Sequence, residues 1–175
     1  RDVTFSWPSR CGVPRKPYRE GQEKVTSLVA AHPRYDDFWR QRNARERHGV
    51  TNIPVYILGG WFDSFQRGSA AFFEGQQNNG LYPSTGNCKL HLYPTAHAAP
   101  PGDLEFPLAE GQNPEATIGS LYEWFDYWLK GADNGILDKP SVALFVMKDK
   151  NAADAFGNQY VYANNWPPDA RPLPL

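Results

Sequence analysis

The sequence predicts an α/β fold: the last strands and helices of a parallel sheet, followed by the first strands of a separate β unit. Three observations predict it. "PVYILGG", residues 54–60, is an apolar run bounded by Pro and Gly, the form of a strand buried on both faces. "CKLHLYP", residues 88–94, alternates leucines with polar neighbours and reads as a second strand. A helical pattern follows each of them, as in a sheet built with helical crossovers, whereas "SVALFVMK" and "NQYVYAN" after Gly131 are strands without a helix between them.

Residues 1–24 mix Pro8, Pro14 and Pro17 with Gly12 and Gly21 and predict no regular element. Val25 to Val29 is a short apolar turn. In "HPRYDDFWRQRNARERH" the face formed by Tyr35, Phe38, Trp39 and Arg42 predicts a helix from about Tyr35 to His48. Its charged remainder, Arg40, Arg45, Glu46 and Arg47, reads as a solvated face. The strand from Pro54 ends in Gly59 and Gly60 and hands over to Trp61-Phe62-Asp63. The helix after it, through Phe65, Ala70, Phe72 and Phe73, stops at Asn79-Gly80. The strand from Cys88 runs into Thr95-Ala96-His97. Asn113 as cap, Pro114 in the first turn and Gly131 at the end delimit a helix whose Ile118, Leu121, Tyr122, Phe125, Trp128 and Leu129 predict one buried face. The change of character after it sets a boundary near Leu137.

Composition removes several function classes. The 175 residues are 41% hydrophobic, enough for a packed core. Eighteen basic residues against nineteen acidic ones give a net charge of −1 and no field that would gather nucleic acid or an anionic membrane. No apolar window approaches a membrane span, so a soluble chain without a membrane partner is expected. The first residue is not Met, and the chain is expected to be cut from a longer one. Cys11 and Cys88 lack metal spacing and read as two free thiols. His32, His48, His91 and His97 form no H-x-x-x-H or H-x-E pattern, so neither a metal nor an organic cofactor is expected. His91 reads as packed or hydrogen-bonded within its strand.

The chemistry lies at the strand ends. In open α/β sheets functional groups gather outside the carboxyl ends of the strands, where Asp63 and His97 stand. A carboxylate there can fix the imidazole tautomer of a histidine that shuttles protons near neutral pH. The nucleophile is missing: no G-x-S-x-G elbow occurs, and Ser69 and Ser120, each preceded by glycine, lie in helical patterns and read as structural.

"HPRYDDFW", "IPVYILGGWFDSF", "KLHLYPTAH", "LYEWFDYWLKGADNG", "PSVALFVM" and "NNWPPDARP", in this order, resemble the Asp-to-His half of the cocaine esterase and X-prolyl dipeptidyl-peptidase family of serine hydrolases. The resemblance implies a partial α/β-hydrolase domain. Residues 1–48 would end a helical cap, 49–137 would be the C-terminal part of the α/β-hydrolase domain, and 138–175 would open a jelly-roll β-sandwich. It implies hydrolysis of a small ester or amide substrate through an acyl-enzyme, with Asp63 as triad acid and His97 as general base. Trp61, Phe62 and Phe65 are the candidate substrate-pocket residues. The serine nucleophile would lie in a missing N-terminal half, and the chain alone would be inactive. An oligomer is compatible with this reading.

Two positions depart from the family pattern. Pro94-Thr95-Ala96-His97-Ala98 replaces the usual Trp and Gly around the histidine. Ser64, Phe65 and Gln66 stand where relatives selective for α-amino acyl groups carry acids, which disfavours an ammonium-binding pocket. Two rivals remain: a carboxylate pair drawn from Asp36, Asp37 and Asp63 for glycoside chemistry, and a noncatalytic module binding carbohydrate or a partner chain through the β strands and aromatic surface.

Overall fold

The computed structural model describes residues 15–97, 106, 113–148 and 157–168, with side chains from residue 21 onward. Cys11, the loop beginning at Ala98 and the segment after Pro168 lie outside the described residues. The chain divides into two compact units at Asn43 and Ala44, a few residues before the expected end of the cap segment.

The first unit holds α1 (Arg15–Ala31), where the sequence predicted only an apolar turn, and the single-turn helix α2 (Asp37–Arg40). Pro17 falls in the first turn of α1, where its missing amide hydrogen costs nothing. The expected long helix from Tyr35 to His48 does not form. Asp36 caps α2 through the amides of Phe38 and Trp39, but the Arg42 guanidinium donates to the Phe38 carbonyl at 2.7 Å. That carbonyl would accept the next intrahelical bond, so the helix stops. His32 stacks on Phe38 with centroids 4.0 Å apart, and Arg42 covers the same ring at 3.6 Å. The Asp36 carboxylate, 2.7 Å from His32 Nδ1, is held below the usual carboxylate range mainly by that bond.

Among the described residues the second unit is built on a four-stranded sheet in the order β1 (Tyr56–Gly60), β2 (Lys89–Tyr93), β3 (Val142–Val146), β4 (Gln159–Ala163). β1, β2 and β3 are parallel, and β4 returns antiparallel to β3. The two strands read from the sequence as opening a separate β unit therefore belong to the α/β sheet, and the expected boundary near Leu137 falls inside it. The reason is the connection: after β2, α4 (Pro114–Ile118) and α5 (Leu121–Lys130) form the crossover, and β3 is its return strand.

Alternation sends side chains to two cores. On one face Leu90, Leu92 and Val142 meet Ala70, Phe73 and Cys88, with Phe73 supplied by α3 (Gln66–Asn79). On the other, Ala143, Phe145 and Tyr160 meet Ile118 of α4, with Tyr56, Tyr93 and Phe106 packed around them. Fully burying each large apolar side chain contributes roughly 1.5–3 kcal/mol. β1 departs from the expected burial on both faces: it ends the strand order, and Leu58 is 46% exposed.

The helix expected from Asn113 to Gly131 is two helices. Asn113 caps the first and Gly131 closes the second, as predicted, but Gly119 adopts φ 91°. Ser120 then opens α5 with a capping box: its hydroxyl accepts from the Glu123 amide, and Glu123 accepts from the Ser120 amide. The break puts Ile118 on α4, apart from the rest of the predicted stripe on α5. α5 buries Trp124, while Leu121, Tyr122, Phe125 and Leu129 are exposed instead of forming the predicted buried face.

β2 carries polar groups into the second core. Lys89 is buried, its ammonium donating to the carbonyls of Lys139 and Pro140, and burial lowers it to about 8. His91 is fully buried, stacked on Tyr93 at 3.7 Å and edge-on to Tyr160, with neither ring nitrogen hydrogen-bonded. It packs, but it does not pair. No helix among the described residues is long and apolar enough to cross a membrane.

Candidate active site

Asp63 lies on the turn between β1 and α3, and His97 just past β2, two neighbouring parallel strands. Three backbone bonds lock the turn: Trp61 N–H donates to Tyr93 C=O at 2.9 Å, Phe62 N–H to Thr95 C=O at 3.0 Å, and Asp63 N–H to Gly60 C=O at 3.1 Å. Two of these cross to the segment leading to His97, so each loop positions the other.

The second of the two glycines before the turn now has a reason. A Cβ on Gly60 would fall inside contact distance of the Thr95 carbonyl oxygen and 3.0 Å from the Ala96 carbonyl oxygen. Only a residue without a side chain lets the histidine loop pass this close.

The two candidate side chains meet. His97 Nδ1 lies 2.9 Å from Asp63 Oδ2, and the other carboxylate oxygen accepts the Phe65 amide at 2.9 Å. The Asp63 side chain is 12% exposed, whereas that of His97 is 69% exposed. The Phe65 amide, then His97, hold the Asp63 carboxyl below its ordinary range. The carboxylate is anchored and charged, and the imidazole it orients faces solvent. Such a pair can hold one histidine tautomer and stabilise the imidazolium when the ring takes up a proton.

The three pocket candidates separate. The Phe65 ring stands edge-on to His97 at 5.4 Å, and the exposed Phe62 stacks on Phe106 at 5.8 Å. Trp61 turns away from them, packing against both cores and donating its indole N–H to Phe145 C=O at 2.8 Å. The two glycine-preceded serines have structural partners: the Ser69 hydroxyl donates to the Phe65 carbonyl, and Ser120 caps α5. Asp36 pairs with His32 and Asp37 with Arg40. Among the described residues no three histidine, cysteine or acidic side chains gather as a metal site.

The family model for the X-Pro dipeptidyl-peptidase (S15 family) matches residues 12–99, half of the chain. The chain belongs to the S15 family.

Its relatives agree. A Bacillus cereus protein assigned as an Xaa-Pro dipeptidyl-peptidase is 28% identical over 142 residues, covering 80% of this chain and 20% of that protein. A Mycobacterium bovis protein assigned as a serine esterase is 28% identical over 145 residues, covering 82% of this chain and 19% of the relative. A CocE/NonD family hydrolase from Staphylococcus aureus has a similar fold, with TM-score 0.52 at 18% identity over 83% of this chain and 22% of that one. The chain thus spans about a fifth of the length of these relatives. The S15 match ends just past His97 and so takes in both loops of the pair.

In this S15 member Gly60→Ala should lower stability by about 2 kcal/mol or more, because the added methyl meets the backbone of Thr95 and Ala96, in the segment that the Trp61 and Phe62 amides hold at Tyr93 and Thr95. Urea unfolding checks it. A midpoint within about 0.5 kcal/mol of wild type would mean that the two loops are not held together as described.

Proposed function

We propose that this chain supplies the acid and base of a serine hydrolase that cleaves ester or amide bonds through an acyl-enzyme. The observation that carries the reading is the Asp63–His97 hydrogen bond at the ends of two adjacent parallel strands, in a chain of the S15 family. His97 Nε2 accepts the proton of a serine hydroxyl as that oxygen attacks the substrate carbonyl. Asp63 keeps the Nδ1 proton in place and stabilises the imidazolium. His97 then returns the proton to the leaving group, and water repeats the cycle to release the acid. The serine is supplied from outside this chain, a view supported by the structural roles of Ser69 and Ser120. Ser64, Phe65 and Gln66 after the acid favour an uncharged acyl group, with the exposed Phe62 and Phe65 rings as its apolar contacts.

The test is hydrolysis of a p-nitrophenyl ester by the complete enzyme and by its His97→Ala variant. Turnover should disappear with His97. Near-wild-type rates in the variant would remove the base from the mechanism.

A further inference from the structure

Trp61 makes a contact that a pocket residue has no use for. It follows β1 directly, yet its indole N–H reaches Phe145 C=O on β3, a residue 84 positions away. β2 lies between these strands. The side chain therefore crosses the carboxyl end of β2, where that strand turns into Pro94-Thr95-Ala96-His97. Its own backbone N–H is bonded to Tyr93 C=O, the last residue of β2. The ring packs against the cores of both sheet faces and lies beside Trp166, at 6.3 Å.

We propose that Trp61 is a positioning residue: its indole straps the acid-bearing turn to the end of β3 and thereby keeps the histidine loop, and the Asp63–His97 bond, in register. The chain of contacts is continuous. The indole fixes residue 61, the next amide holds Thr95, and the next residue is the acid that holds His97. Without the Phe145 bond the turn keeps its local backbone bonds and the packing of the ring but loses the side-chain hydrogen bond that ties it to β3. The pair then moves with the loop, and His97, mostly exposed, keeps the edge-on Phe65 ring beside it but not the register of its bond to Asp63. The inference rests on the proposed triad only for why the pair matters, since the bond between Asp63 and His97 is measurable whether or not it serves catalysis.

The experiment compares three variants of the full chain. Trp61→Phe removes the donor and part of the ring. Trp61→3-benzothienylalanine keeps the bicyclic shape and removes only the N–H, so it tests the bond should the smaller ring fail to fold. Trp166→Phe perturbs the packing beside Trp61 while leaving its donor. The readout is the tautomer of His97 from its ring 15N chemical shifts. The expected result is an Nδ1-protonated ring in wild type and in Trp166→Phe, and a shift toward the averaged signals of a free imidazole in both Trp61 variants. In the complete enzyme the same Trp61 variants should lose ten- to a hundredfold in kcat, with KM within about twofold. Unchanged His97 signals in a folded Trp61 variant would overturn the proposal. So would an equal shift in Trp166→Phe, which would reduce the effect to general packing. Turnover surviving His97→Ala would remove the catalytic reading alone and leave the strap to be judged on the 15N signals.

Discussion

On the proposed chemistry, Asp63→Asn should lower kcat of the complete enzyme by about four orders of magnitude while leaving the chain folded. The reason is in the hydrogen bonds. One oxygen of Asp63 accepts the Phe65 amide and the other faces His97 Nδ1. An asparagine must present its carbonyl to the amide, which turns its NH2 group toward the imidazole. Nδ1 then becomes the acceptor and the proton moves to Nε2, the nitrogen that has to be free to take the serine proton. The ring stays in position with the wrong face basic. The ring 15N shifts of the chain would show the tautomer change directly, and the steady-state rate would show its consequence. A variant with near-normal kcat would mean that Asp63 does not orient the base.

The second large effect concerns stability in acid. Burial lowers His91 to about 4, against ~6.5 in the unfolded chain. Between these values the unfolded chain binds the proton and the folded chain does not. Stability therefore falls as pH drops from about 6.5 to about 4, by about 3 kcal/mol for this group. No partner bond offsets the loss, because both ring nitrogens are unpaired among Tyr93, Tyr160 and the surrounding core. His91→Leu should be at least as stable as wild type at pH 7 and gain on it progressively toward pH 4. Urea midpoints of the two proteins at pH 7 and pH 4.5 make the comparison, and the difference cancels the other titrating groups. Parallel pH profiles would show that His91 takes up its proton in the folded state at little cost.

Much of this architecture is legible in the residues, and the failures share a cause. "PVYILGG" and "CKLHLYP" mark β1 and β2 because apolar content and turn residues agree there. Asp63 and His97 stand out because they end those strands. Asn113 and Gly131 announce helix limits by their capping chemistry. The break at Gly119-Ser120 is hidden because three- and four-residue spacing runs on from Ile118 to Leu129, and the signal against it is Ser120 with Glu123, a capping box inside the pattern. α2 is cut short by Arg42, a side chain competing for a backbone carbonyl, which periodicity cannot register. β3 and β4 look like a new unit because strand patterns name no partner. Sheet membership is decided by pairing with β2, a tertiary fact. The same limit hid the role of Trp61, whose partner is a backbone oxygen far along the chain.

The Trp61–Phe145 bond also bears on the order in which the molecule can assemble. Asp63 and His97 are 34 residues apart, but the anchor beneath them closes a span of 84. Closing longer loops costs more chain entropy, and distant pairings form slowly. The β1–α3–β2 segment can collapse early and bring Asp63 and His97 near each other. Their final alignment waits for β3 to dock, so a folding chain gains compactness before the Asp63–His97 bond reaches its final register.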